Sequence, residues 1–141
     1  YGQVGGFDLG GKPSGYYTTA ESIVEKMKQG DKIIDYYAEP IMHELLSEKD
    51  FGKYQDKTTG KMQLCFLTNN DITGGNSGSP MFNGKGELIG LAFDGNWDSL
   101  SSDIYFDKRL ARCIGVDIRY VLYLMDKWGH AVRLLKEINA K

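Results

Sequence analysis

Thr73-Gly74-Gly75-Asn76-Ser77-Gly78-Ser79-Pro80 is the stretch on which the reading of this chain turns. A serine attacks a carbonyl only if a base removes its proton and hydrogen-bond donors receive the oxyanion that forms. Glycines let backbone N–H groups converge where a Cβ would obstruct them. Gly75-Asn76-Ser77 supplies such a loop, with Ser77 as nucleophile and the N–H groups of Gly75 and Ser77 as oxyanion donors. Losing one such donor costs about 3 to 4 kcal/mol of barrier in comparable sites. The bland alternative is an ordinary glycine-rich turn, and the surrounding sequence decides between the two.

Upstream, Leu64-Cys65-Phe66-Leu67 within Met62 to Thr68 is too short for a helix and reads as a buried strand. Downstream, Pro80-Met81-Phe82 and Glu87-Leu88-Ile89-Gly90-Leu91-Ala92-Phe93 read as two strands joined through a turn favoured by Asn83-Gly84. The serine thus sits in a strand, loop, hairpin unit. No Gly-Lys-Ser/Thr of a phosphate-binding loop is present, and Ser79 stands where the nucleophile elbow of an α/β-hydrolase needs glycine.

Farther out, the chain through Ser14 is glycine-rich and irregular. Thr18 with Glu21 predicts a capping box for a helix to Gln29, ended by Gly30. Pro40 opens a second helix with Ile41, Met42, Leu45 and Leu46 on one face. Asp117 is placed to cap a last helix carrying Ile118, Val121, Leu122 and Met125, interrupted at Gly129 before Val132, Leu135 and Ile138. Ser99 to Arg112 is the least readable stretch.

The 141 residues carry a formal charge of only −2 and no basic stripe, which argues against nucleic acid or an anionic membrane as partner. No apolar run reaches bilayer length, and Tyr1-Gly2-Gln3-Val4 has neither the basic nor the apolar region of a signal peptide. The missing initiator Met leads to the expectation of a piece of a longer protein. Cys65 and Cys113 could pair or could simply be buried small side chains. With no His/Cys cluster at ligand spacing, neither metal nor cofactor is expected.

Gly75-Asn76-Ser77-Gly78-Ser79-Pro80 resembles the serine motif of chymotrypsin-like peptidases, with Asn76 for the usual Asp and Ser79 for a Gly. In zymogen-activated members that Asp pairs with a freed N-terminal ammonium, which neutral Asn76 would do less well. A longer match is more specific. Thr68-Asn69-Asn70-Asp71, the serine loop, Gly90-Leu91-Ala92-Phe93-Asp94-Gly95-Asn96-Trp97 and Val116-Asp117-Ile118-Arg119-Tyr120 resemble the bacterial dipeptidyl-peptidase 7 and 11 family.

That resemblance implies a mainly β fold with flanking helices: the C-terminal barrel portion of a chymotrypsin-like double barrel. Residues 1–60 would be an irregular and helical lead-in, 61–115 barrel strands with the nucleophile loop, and 116–141 a C-terminal helix. It implies a periplasmic or cell-surface serine exopeptidase that releases dipeptides from free peptide N-termini. Partners would be the peptide and the N-terminal remainder of the same protein. The oligomeric state stays open, with a homodimer of the full-length protein compatible.

A Ser nucleophile needs a His held by a carboxylate. His43 and His130 are the candidates in this chain, and both read as solvated surface residues; in the resembled family the His and Asp lie well upstream. The chain alone is therefore expected to be inactive. Phe93-Asp94-Gly95 would be the strand beside which the peptide lies. The family resemblance gives Asp94 the α-ammonium, so that an anion at fixed distance from Ser77 counts off two residues. It also gives Gly95 an apolar P1 preference, since the acid-preferring branch carries Arg there. Asp71 sits six residues before Ser77, where trypsin-like enzymes place the carboxylate that selects Arg or Lys, and that resemblance implies a rival preference for basic P1. A peptide-binding domain without catalysis and an ordinary endopeptidase are the remaining alternatives.

Overall fold

The computed structural model describes residues 1–99 and 107–138. Its centre is a five-stranded antiparallel sheet in the order β3-β4-β7-β6-β5. These strands are β3 (Tyr17–Thr19), β4 (Gln63–Thr68), β5 (Pro80–Phe82), β6 (Leu88–Gly95) and β7 (Cys113–Asp117). Along β4, Leu64, Phe66 and Thr68 are buried and alternate with half-buried Gln63, Cys65 and Leu67. A period of two is what a strand with one covered face requires.

β7 went unrecognised in the sequence, yet it is the strand between β4 and β6. Its centre is Gly115, which lies opposite Phe66 of β4 and Ala92 of β6. A Cβ at position 115 would stand 2.7 Å from the Phe66 ring and 2.8 Å from the Met81 sulfur. The glycine that weakens the strand signal is the one that lets Phe66 and Met81 fill the space above the sheet. Ladder register also separates the cysteines. Cys65 pairs with Val116 and Cys113 with Thr68, so the two lie three positions apart and on opposite faces, and no disulfide joins them.

Several local expectations change in detail. The first helix, α1 (Ala20–Met27), is capped one residue later than expected. Ser22 Oγ accepts from the Thr19 N–H at 3.4 Å and donates to the Thr19 carbonyl at 2.7 Å. Glu21 instead takes a hydrogen bond from the Thr19 side chain, which lowers its carboxyl below the usual range. The turn expected at Asn83-Gly84 does join β5 to β6. Gly86 donates to Asn83 at 3.0 Å and adopts the left-handed backbone, the pattern of a type I turn followed by a bulge. The opening stretch is also less irregular than it reads: Asp8–Leu9 (β1) and Lys12–Pro13 (β2) pair around Gly10-Gly11.

The chain forms two compact units. One comprises Tyr1–Tyr17 and Cys65–Ile118, which includes most of the sheet and the whole serine loop. The other comprises Thr18–Leu64 and the chain from Arg119 onward. Within it lie α1, α2 (Pro40–Leu46), most of α3 (Ile118–Lys127) and α4 (Val132–Glu137). Pro40 occupies the first turn of α2 and buries Leu45 and Leu46, as read. In α3 the expected apolar face is only half-buried, and the buried residue is Tyr123. Its ring meets Phe51 and Tyr54 edge-on at 5.4 and 5.7 Å, and its hydroxyl donates to the Leu45 carbonyl at 2.8 Å. Gly129 does break the last helix, with His130 in a left-handed backbone at φ 47°. The final residues of the expected C-terminal helix, 139–141, and most of the unreadable stretch after Ser99 lie outside the described residues. Among those described, no helix is long and apolar enough to cross a membrane.

Candidate active site

The serine loop is two successive turns that share Asn76. In the first, Asn76 N–H donates to the Thr73 carbonyl at 3.1 Å; in the second, Ser79 N–H donates to the Asn76 carbonyl at 2.9 Å. Gly75 (φ 93°) and Gly78 (φ 84°) each stand third in their turn, the position where a type II turn requires positive φ. Neither glycine would bring a Cβ within 4 Å of another group. Backbone conformation, and not space, demands glycine at both.

The loop's exit is pinned to β6. Gly78 N–H donates to the Ala92 carbonyl at 2.7 Å, and Ala92 N–H donates to the Ser79 carbonyl at 2.8 Å. These bonds extend the β5–β6 ladder, in which Pro80 faces Leu91, beyond the proline that lacks a donor of its own. Ser77 is thereby carried alongside the next residue of β6. Its exposed Oγ donates to the Phe93 carbonyl at 3.3 Å. Phe93 is the extra residue of a β-bulge: Ala92 pairs with Gly115 and Asp94 with Ile114, leaving Phe93 without a β7 partner. Bulges beside a site re-aim side chains, and the Phe93 ring is 58% exposed.

Asp94 is exposed, and its Oδ1 accepts from the Gly95 N–H at 2.7 Å. Gly95 is half-buried. A Cβ there would overlap the Ser99 hydroxyl, which itself donates to the Asn96 carbonyl at 2.6 Å. Ser77, Gly75, Phe93, Asp94 and Gly95 thus belong to one loop and the strand end it rests on.

Asp71 is exposed and lines a cavity of about 690 Å³ with Val4, Thr68, Asn76, Met81 and Ala92, among others. His43 and His130 both lie in the helical unit, and Ser77 lies in the other.

The strand end has a clamp that went unread in the sequence. Asn96 N–H donates to the Arg112 carbonyl at 2.9 Å, Asn96 Oδ1 accepts from the Arg112 N–H at 2.8 Å, and Asn96 Nδ2 donates to the Leu110 carbonyl at 2.9 Å. The Arg112 guanidinium is buried and donates to the carbonyls of Gly6, Lys108 and Ala111. It also lies 5.9 Å from the Phe7 ring centroid. An Asn directly after Asp94-Gly95 was the available signal, since Asn side chains readily complete a ladder at a strand end.

The Peptidase S46 family pattern matches residues 1–140 of this chain. Dipeptidyl-peptidase 7 of Capnocytophaga gingivalis is 55% identical over 124 residues, covering 88% of this chain and 17% of the relative. The Asp/Glu-specific dipeptidyl-peptidase of the same organism is 45% identical over 140 residues, covering 99% and 19%. Among solved structures, Porphyromonas endodontalis DPP11 in complex with dipeptide Arg-Glu superposes with a TM-score of 0.88 at 35% identity, over 98% of this chain and 20% of that one. The chain therefore spans no more than about a fifth of the length of these relatives. Both named relatives are dipeptidyl-peptidases, and the match runs nearly end to end: the chain belongs to the Peptidase S46 family.

Proposed function

We propose that this chain supplies the nucleophile and the substrate wall of a serine-type dipeptidyl-peptidase acting on free peptide N-termini. Ser77 attacks the scissile carbonyl, and the N–H groups of Gly75 and Ser77 receive the oxyanion. The observation that carries this reading is the seating of the serine loop on β6. It sets Ser77 Oγ 3.3 Å from the carbonyl of Phe93, directly before Asp94 and Gly95.

On this reading a peptide lies along Phe93-Asp94-Gly95 as an added strand. The Asp94 carboxylate takes the α-ammonium, and the fixed interval to Ser77 releases two residues at a time. Gly95 leaves the P1 wall without charge and favours apolar P1 residues. Asp71, the carboxylate that a basic P1 residue would need, ranks second. The base and its carboxylate come from the remainder of the protein, so the isolated chain is inactive. A periplasmic or cell-surface location belongs to the same proposal.

The test is to assay the intact protein on free and N-acetylated peptides with apolar, acidic and basic P1 residues. Cleavage of free peptides with apolar P1, and none of acetylated ones, is expected. Equal cleavage of acetylated peptides would remove the exopeptidase reading, and a basic preference would return Asp71 to the pocket.

A further inference from the structure

Asn76 makes three hydrogen bonds inside the serine loop. Its N–H and carbonyl close the two turns, and its side-chain Oδ1 accepts from the Thr73 N–H at 2.9 Å. The first turn is thus tied twice between the same two residues. Gly75 and Ser77 flank Asn76, and among the described residues their N–H groups make no backbone hydrogen bond. The residue that braces the loop is therefore the one between the two groups assigned above as oxyanion donors.

We infer that Asn76 is a positioning residue for the oxyanion donors: its side-chain oxygen, bound to the Thr73 N–H, holds the Gly75 and Ser77 N–H groups convergent. The inference rests on the proposed role of Ser77. Its physical basis is preorganisation, because donors fixed before the reaction need no reordering as charge develops. An amide oxygen does this without a counter-cation, so the loop is set by its own chain.

The experiment is steady-state kinetics of the intact enzyme and its Asn76→Ala, Asn76→Asp and Ser77→Ala variants, the serine-bearing enzymes normalised to serine titrated with a phosphonofluoridate and Ser77→Ala to folded protein. Asn76→Ala is expected to lower kcat about tenfold or more with KM within about twofold, the split for an interaction used in the transition state. Asn76→Asp, which retains an acceptor, is expected to recover most of that loss. If Asn76→Ala does not fold, Asn76→Gln, whose acceptor sits one methylene too far, takes its place in the comparison. An unchanged kcat, or equal losses in Asn76→Asp and the truncated or lengthened variant, overturns the inference. Activity retained in Ser77→Ala would instead overturn the nucleophile assignment.

Discussion

Ser77 Oγ donates to the carbonyl of Phe93, the one residue of β6 that the bulge leaves without a β7 partner. The two features depend on each other. The ladder bonds of Gly78 and Ser79 to Ala92 bring the serine to this point on the strand, and the bulge presents Phe93-Asp94 there. Ser77 and the Phe93-Asp94 strand end are thereby set by backbone pairing and not by contacts between flexible side chains.

The proposed role of Gly95 in P1 preference is tested by substitution, and its surroundings set the conditions. Any side chain at 95 displaces the Ser99 hydroxyl from its bond to the Asn96 carbonyl. Gly95→Arg alone is expected to shift preference towards Asp or Glu at P1 while raising KM through the disturbed strand end. Adding Ser99→Gly should keep the shift and restore KM. P1 profiles of the intact enzyme check this, and an unchanged profile in both variants would take Gly95 out of the pocket.

Asp56 ties its loop to α3. Its carboxylate accepts from Arg119 Nη1 at 2.9 Å and from the N–H groups of Thr58 and Thr59. Chiefly the Arg119 bond lowers its pKa from 3.8 to about 2. A lowered carboxylate stabilises the fold fully above the unfolded value and loses that contribution as pH falls through the folded value. Acid unfolding of the intact protein between about pH 4 and 2 should therefore include this group. Asp56→Asn should lower stability at pH 7 and flatten that part of the curve.

Cys113 is buried and burial pushes its thiol pKa up, while Cys65 lies on the other face of the sheet. Mobility on non-reducing gels should be unchanged by reductant for want of a Cys65–Cys113 bond. Alkylation at pH 8 should reach Cys113 only after denaturation.

His130 takes a left-handed backbone, at φ 47°, between α3 and α4. This is the position where helix ends favour glycine. His130→Gly is expected to raise stability by up to about 1 kcal/mol in thermal unfolding, and to leave activity unchanged if the base comes, as proposed, from the remainder of the protein.

The sequence made the serine loop, the β5–β6 hairpin and the Pro40 helix legible because each has a local cause: paired glycines, a turn after a short apolar run, and a proline at the first helical position. β7 was not legible. Its glycine answers to Phe66 and Met81 on strands far away in sequence, and no local pattern carries that requirement. Tyr123 was missed for a similar reason, since its burial follows from Phe51, Tyr54 and the Leu45 carbonyl more than from the period of α3. In the site, residue types were readable while their partners were not. Asn76 was visible as a replacement for Asp, but its bond to Thr73 appears only once both turns are built. The Asn96 clamp depends on Arg112, sixteen residues away in sequence.

The most direct test of the central claim is covalent labelling. The intact enzyme is treated with a serine-directed phosphonofluoridate, and the adduct is located by peptide mass spectrometry in parallel with residual activity. One label per chain on Ser77, with activity lost in proportion and no rapid labelling of the isolated 141-residue chain, is the predicted result. Inactivation with the label on another residue, or rapid labelling of Ser77 in the isolated chain, would contradict the account.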